Sequence, residues 1–167
     1  LRYTGAVQRL AGNPCLLPAP RGTKGVEMDF ADARSFLETH HRGVVNTFQP
    51  DGSVQSSIVV TGAIEDRVVF VSVNGVSAKI RNLRRDPRCT VLAVTPSWGR
   101  YVVAEGRARL FDSTNTEPEE LRTMLRDTHR ACGDSEHSDW DEYDRVMRRQ
   151  DAVVVWVDPQ RMYGLLR

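Results

Sequence analysis

Short runs of apolar and β-branched residues, separated by turn residues, occupy much of the chain after residue 42. Runs of this length and composition are typical of β-strands. A turn at Pro50-Asp51-Gly52, in which Pro fixes φ and Gly allows positive φ, and a second turn at Glu65-Asp66 connect the first three runs as an antiparallel meander. We predict six strands, at residues 43–48, 54–64, 68–73, 90–95, 101–111 and 152–157, the last continuing to residue 163.

Four other segments have helical signals. In residues 29–41, Asp29 can act as the N-cap, and Phe30, Ala33 and Leu37 fall on one apolar face. Further helices are predicted at residues 77–86, with Ser77 as the N-cap, and at residues 117–131 and 139–150. Consecutive antiparallel strands argue against a doubly wound fold and predict a mainly β fold with α-helices in the connections, as a barrel or an α+β sheet.

Length and composition predict an ordinary globular domain. The chain has 167 residues, of which 40% are hydrophobic and 27% are charged. A net charge of +1 is too small to indicate bulk binding to nucleic acid or to a membrane surface. No apolar run approaches the roughly 20 residues that a membrane-spanning helix needs. We therefore expect a small-molecule partner, with no nucleic acid and no membrane.

The N-terminal residues and the cysteines carry little chemistry. Residues 1–27 are predicted to be an irregular extension before the domain at residues 28–167. Whether the extension is native stays open, because the chain does not start with Met, and Met28 stands at the start of the first segment with a regular pattern. Three distant cysteines in no CxxC pair predict neither a disulfide framework nor a zinc site, and favour a reducing, cytoplasmic compartment.

The strongest local signal is the segment SAKIRNLRRDPR, from Ser77 to Arg88. A helix that opens after a strand presents free N–H groups that bind phosphate, and Lys79, one of only two lysines beside 21 arginines, would add a charge in its first turn. The basic face of Arg81, Arg84 and Arg85 has two other interpretations, which are a solvated helix face and an RNA contact. The small net charge argues against RNA.

Two weaker signals follow, and no catalytic nucleophile is predicted. The strand from Gln55 to Val60 can offer hydroxyls and backbone groups to a heterocycle, and the segment from Trp98 to Tyr101 can offer stacking surfaces and a cation; each is also explained by ordinary strand or turn structure. No histidine pair has metal-ligand spacing. If the protein is an enzyme, a cofactor is expected to carry the chemistry, and the catalytic residues stay unassigned.

Several motifs together resemble the pyridoxamine-phosphate-oxidase-like split β-barrel proteins. They are the segment Ser77–Arg88, the string YVVAEGRA at residues 101–108, and the order GVVNT at 43–47 followed by DGSVQSS at 51–57. The resemblance covers residues 29–167 and implies an FMN-binding-like split β-barrel. Within that group the chain is similar to the deazaflavin-dependent oxidoreductases of the B type, which use coenzyme F420.

The resemblance implies hydride transfer between deazaflavin and a conjugated small-molecule acceptor, in a homodimer with the site at the subunit interface. The alternatives are an FMN-dependent oxidoreductase on the same fold and a non-catalytic flavin- or haem-binding module. The roles of the loops at residues 112–118 and 133–138 are unassigned, and either is a candidate lid.

By motif position, the resemblance also implies three groups of cofactor contacts. The ring and ribityl chain would contact Gln55, Ser56, Ser57, Ile58 and Val59, and the phosphate would contact Ser77 and Lys79. The border of the cofactor would be formed by Trp98, Gly99, Arg100 and Tyr101, with Arg100 near the acidic tail.

Overall fold

The computed structural model describes residues 25–133 and 136–167. Within these ranges the chain forms eight strands and four helices. In chain order they are β1 (Val26–Met28), α1 (Phe30–Leu37), β2 (Arg42–Phe48), β3 (Val54–Val60), β4 (Gly62–Ile64), β5 (Arg67–Ser72), α2 (Ala78–Arg85), β6 (Arg88–Val94), β7 (Tyr101–Phe111), α3 (Pro118–Ala131), α4 (Trp140–Arg149) and β8 (Val153–Leu165).

The strands form one antiparallel sheet, which curls into a half-barrel. Its order is β3-β2-β6-β7-β8-β5-β4, and β1 pairs with the C-terminal part of β8. The helices lie in the connections, and α2 packs against β2, β3 and β7. This architecture confirms the predicted α+β split barrel. It also leaves β3 at one end of the sheet order, with an edge that no neighbouring strand pairs within the described residues.

Strand β8 is buried on both faces, which explains the continuous apolar run at its start. Val153, Val155 and Val157 point into the main barrel core. Val154 and Trp156 point the other way, into a second apolar cluster beneath α3 and α4. A strand covered on both sides needs apolar residues at every position rather than at alternate positions.

Strand β8 contains a β-bulge next to Asp158-Pro159. Gly106 pairs with Pro159 and Glu105 with Arg161, so Gln160 is the extra residue. Pro159 lacks an N–H group, and a bulge is where a strand tolerates that loss. At Gly106 a Cβ atom would lie 2.2 Å from the Asp158 carbonyl oxygen, so the close approach of β7 and β8 requires glycine there.

Three predicted boundaries were wrong. The strand predicted at 54–64 breaks at Thr61, because the Thr61 N–H donates to the His41 carbonyl oxygen at 2.8 Å and His41 Nδ1 lies 2.8 Å from the Thr61 carbonyl oxygen. Helix α1 ends at Leu37, with Glu38 as its C-cap, and not at residue 41 as predicted. Strand β1 begins at Val26, inside the predicted extension, since Val26 and Glu27 pair with β8; residues 1–24 lie outside the described range.

None of the helices in the described ranges is long and apolar enough to span a membrane.

Candidate functional site

The N-terminus of α2 is open to an anion. Ser77 occupies the N-cap position, as predicted, but its side chain makes no capping hydrogen bond. Its hydroxyl instead lies 3.2 Å from the Ser72 hydroxyl, at the end of β5. The first N–H groups of a helix have no partner inside the helix. The Ser77 side chain therefore leaves these donors to another acceptor.

Lys79 lies in the first turn of α2. Its side chain is half-buried, and burial lowers the pKa of its ammonium group below the usual value. Within the described part of the chain, no carboxylate lies within 4.0 Å of Lys79. A partly desolvated cation without an acidic partner is more stable when an anion binds beside it.

The three arginines of α2 are exposed, and each also donates a hydrogen bond to a backbone carbonyl oxygen. Arg81 donates to the Val76 carbonyl oxygen at 2.5 Å, and Arg84 donates to the Gly75 carbonyl oxygen at 3.2 Å. Arg85 donates to the Phe48 carbonyl oxygen at the end of β2. These contacts fix the loop before α2 and the position of α2 on the sheet.

Arg84 makes an ion pair with Asp112, at the end of β7. The two side chains approach to 2.8 Å, and the carboxylate also accepts hydrogen bonds from the backbone and hydroxyl of Thr114. Burial by itself raises the pKa of the Asp112 carboxyl, but the bonds from Thr114 and Arg84 outweigh it, so this pKa lies below its ordinary value. Asn115 bonds back to Asp112 and Leu110, which pins the first half of the loop at residues 112–118.

Strand β3 divides its candidate residues between two faces. Gln55, Ser57 and Val59 are half-buried or buried, whereas Ser56 and Ile58 are exposed on the other face, Ile58 to 89%. Side chains alternate along a strand, so a cofactor lying on one face touches at most every second residue. The unpaired edge of β3 adds its backbone groups to either face.

Gln55 and Ser57 belong to a chain of polar side chains that reaches α2. Asn82 Nδ2 donates to Thr47 Oγ1 at 3.0 Å, and Thr47 lies 3.2 Å from Gln55 Oε1. Gln55 Nε2 donates to Ser57 Oγ at 2.8 Å. Sequence reasoning missed Thr47 and Asn82, although each is a polar residue at an inward position. The inward position of a polar residue is the signal that points to both. For Asn82, that position lies between the apolar residues Ile80 and Leu83 of the same helix.

The segment from Trp98 to Tyr101 lies at the other end of the sheet. Thr47 pairs with Cys89 near α2, whereas this segment follows Val94 at the far end of β6. Five residues of strand separate the two ends, or roughly 17 Å. Within one chain, the structure therefore does not bring Trp98, Gly99, Arg100 and Tyr101 together with Ser77 and Lys79.

The side chains of this loop are mostly open. Trp98 is 78% exposed and has a φ of 64°, a left-handed conformation. The Arg100 backbone is held by Thr95, but its side chain makes no hydrogen bond or ion pair among the described residues. Tyr101, which starts β7, is half-buried.

The described residues contain no group of three or more His, Cys, Asp or Glu side chains arranged to hold a metal ion. The titratable centre of the region is thus the Lys79 ammonium group.

These features define a split-barrel protein in which the open N-terminus of a helix lies beside an edge strand. The model of the pyridoxamine 5′-phosphate oxidase family matches residues 31–166, and the chain belongs to this family.

Solved structures agree with this assignment. A conserved hypothetical protein of Mycobacterium tuberculosis is 23% identical, with a TM-score of 0.68 over 87% of this chain and 89% of that chain. An F420 reductase is 19% identical, with a TM-score of 0.54 over 77% and 94%. A pyridoxamine 5′-phosphate oxidase-related, FMN binding protein of Nostoc punctiforme is 12% identical, with a TM-score of 0.55 over 81% and 79%. At these identities the likeness shows a shared fold.

Proposed function

We propose that this protein is an oxidoreductase that binds coenzyme F420 and transfers a hydride between the deazaflavin and a conjugated, electron-poor small molecule. The observation that carries the proposal is Lys79, a half-buried cation without an acidic partner in the described part of the chain, beside the uncapped start of α2. A phosphate group fits both features, since it accepts hydrogen bonds from helix N–H groups and neutralises the ammonium charge.

Coenzyme F420 and FMN both carry a phosphate group that suits the start of α2. Coenzyme F420 carries its phosphate as a diester with one negative charge, whereas a phosphate monoester carries about two at neutral pH. Lys79, Arg81 and Arg85 all keep their positive charge, and within the described residues only Arg84 is paired with a carboxylate, so the charge at the start of α2 suits either phosphate. We propose deazaflavin because the motifs resemble the deazaflavin-dependent oxidoreductases of the B type. FMN is the alternative cofactor, on the same fold and at the same terminus.

A homodimer would complete the site. The Trp98–Tyr101 loop is too distant from α2 within one chain, so we propose that a second protomer supplies it, with Arg100 near the acidic tail of the cofactor. The exposed apolar side chains of Val54, Ile58 and Val60, on the outer face of β3, support such an interface. Light scattering of the purified protein should give about twice the chain mass.

The protein would bind and orient a cofactor that itself carries the chemistry. When bound, the deazaflavin supplies or accepts the hydride. Ser77 and Lys79 would hold the phosphate, and the edge of β3 from Gln55 to Val59 would position the ring and ribityl chain. Trp98 would exclude water from the ring, because it presents exposed apolar surface.

Fluorescence titration with coenzyme F420 and, separately, with FMN tests the proposal. We expect selective binding of the deazaflavin. Lys79→Ala should weaken binding by about 1.5–3 kcal/mol, the range for a hydrogen bond to a charged group. The matched control is Arg149→Ala, which removes an exposed cation on α4 and should leave the affinity unchanged.

Each other result has a distinct meaning. A preference for FMN would replace the cofactor and keep the site, and equal affinities of Lys79→Ala and wild type would remove the phosphate site. Tight binding without oxidation of the reduced cofactor by any acceptor in a panel of nitroaromatics, quinones and enones would favour a non-catalytic binding module.

A further inference from the structure

A chain of five side chains crosses from α2 to the edge of the sheet. It runs from Arg85 through Asn82 and Thr47 to Gln55, and ends at Ser57. Thr47 is fully buried and Asn82 is 6% exposed, so water does not compete for the middle of the chain. Ser57, at the outer end, is half-buried on the edge strand β3.

One end of the chain fixes the direction of its hydrogen bonds. A guanidinium group only donates, and it stays protonated. Arg85 lies 3.3 Å from the Asn82 side-chain oxygen, so that oxygen accepts and the Asn82 amide nitrogen faces Thr47. Thr47 Oγ1 accepts from this nitrogen, and its own proton has two acceptors on Gln55, the side-chain oxygen at 3.2 Å and the backbone carbonyl oxygen at 3.4 Å.

The Gln55–Ser57 end of the chain of side chains fixes the same hydrogen-bond direction independently. A backbone carbonyl only accepts. The Ser56 carbonyl oxygen lies 2.7 Å from Gln55 Nε2, so the amide nitrogen of Gln55 must face this side and its oxygen must face Thr47. The same nitrogen donates to Ser57 Oγ at 2.8 Å. The donor-only group thus fixes the orientation of the Asn82 amide and the acceptor-only group that of the Gln55 amide, and the two orientations are compatible.

The Ser57 hydroxyl is left with a proton to donate. It already accepts from Gln55, and no acceptor within the described residues takes its hydrogen. We propose that Arg85, Asn82 and Thr47 are positioning residues that make the Ser57 hydroxyl a hydrogen-bond donor to a carbonyl, hydroxyl or ring-nitrogen acceptor of the bound cofactor. This inference rests on the proposed function, in which β3 lines the cofactor. The chain selects a ligand with an acceptor at this position and disfavours one with an N–H group there.

A double-mutant cycle tests the inference with coenzyme F420 and FMN as probes. Ser57→Ala removes the donor, and Thr47→Val breaks the middle of the chain with little change in shape. Each should weaken binding about 2- to 10-fold, the range for one neutral hydrogen bond, and shift the absorption maximum of the bound cofactor. Because Thr47 acts through Ser57, the double variant should bind no more weakly than Ser57→Ala. Thr47→Ser, which keeps the hydroxyl, should restore both affinity and spectrum.

The outcomes separate this inference from the proposed function. If the wild type binds neither cofactor, the proposed function fails, and the ligand role of Ser57 fails with it. If the wild type binds and Ser57→Ala has unchanged affinity and spectrum, only this inference is overturned. Additive losses in the double variant would also overturn it, since Thr47 would then act through the fold. If Thr47→Val unfolds, the single variants Ser57→Ala and Thr47→Ser decide by the same two readouts.

Discussion

The two ends of β6 carry the two predicted groups of cofactor contacts, and they are built differently. At the Cys89 end, the side chains of α2 bond to β2, to the loop before the helix and to Asp112. At the Val94 end, the loop is held mainly by backbone bonds around Thr95, and Trp98 extends into solvent. One end is ordered by side-chain bonds within its own chain, and the other presents exposed side chains.

This difference separates two ways of making a binding site. An interlocked site loses little conformational entropy when a ligand arrives, whereas exposed side chains must be ordered by the binding event itself. We therefore expect the α2 end to contribute to affinity in each protomer. The Trp98 loop is expected to contribute only where a second surface covers it.

Thiol labelling gives the largest expected contrast between the two ends. Burial raises the pKa of Cys89 to about 12, from an ordinary value of 9.0. Three pKa units lower the thiolate fraction about 1,000-fold at pH 8, and the thiolate is the reactive form. Cys89 should therefore resist alkylation in the folded protein, as measured by peptide mass spectrometry. A cysteine placed in the exposed loop by Ser97→Cys should react at close to the rate of the unfolded chain.

The control is the same measurement in denaturant, where Cys89 should react like an ordinary thiol. If native Cys89 reacts within tenfold of that rate, the α2 end opens readily and the comparison fails.

The ion pair between Arg84 and Asp112 should make the stability of the α2 end depend on pH. The pKa of Asp112 is lower in the folded than in the unfolded protein, so folding favours the carboxylate. Its contribution is complete above about pH 5 and is lost as pH falls below about 4, towards the folded pKa. Asp112→Asn should lower the free energy of unfolding by about 1.5–3 kcal/mol at pH 7, and by less at pH 3, in chemical denaturation.

Asp86→Asn is the matched control for Asp112→Asn. Hydrogen bonds from Arg88 lower the pKa of Asp86 to about 2, but this pair is exposed to solvent, which screens it. Equal losses of stability in the two variants at pH 7 would show that burial of Asp112 adds nothing.

Asn82→Ala should lower the free energy of unfolding by about 1–3 kcal/mol, because it leaves the buried Thr47 hydroxyl without its donor. Arg100→Ala, at the other end, should change it by no more than about 0.5 kcal/mol, as for other exposed substitutions. Denaturation midpoints of the two variants measure the contrast directly. A cost for Arg100→Ala as large as that for Asn82→Ala would mean that the loop is also ordered by its own chain.

The sequence predicts the elements better than it predicts their contacts. Apolar runs and turn residues place the main strands, and the predicted helix start at Ser77 is found, while the anion site there stays a prediction. The break between β3 and β4 depends instead on His41 meeting Thr61 and on Gly62 packing against Ala131, where a Cβ would lie 2.0 Å from a carbonyl oxygen. Such contacts join residues far apart in the chain, and no local pattern encodes them.

The same limit applies within the candidate site. Period-two alternation predicts that Gln55 and Ser57 share a face, and the structure agrees. The bond from Asn82 to Thr47 spans 35 positions and depends on how α2 lies across β2. The separation of the Trp98 loop from Lys79 follows from the pairing of β2 with β6, which the motifs do not contain.

Substitutions of Trp98 have the smallest expected effect on the free energy of unfolding, and they test most directly whether the loop takes part in cofactor binding. Its φ of 64° is a conformation that costs a non-glycine residue about 1–2 kcal/mol, and glycine adopts it freely at an entropic cost of about 0.5–1 kcal/mol. Trp98→Gly should thus raise the free energy of unfolding by about 0.5 kcal/mol, whereas Trp98→Ala keeps the strain and should not. If the indole ring borders the cofactor, both variants should weaken binding of coenzyme F420 equally, so that only the glycine variant gains stability while it loses affinity. Strain is retained at positions where function requires it. Unchanged affinity in both variants would remove Trp98 from the site and leave the α2 end as the only organised part of it.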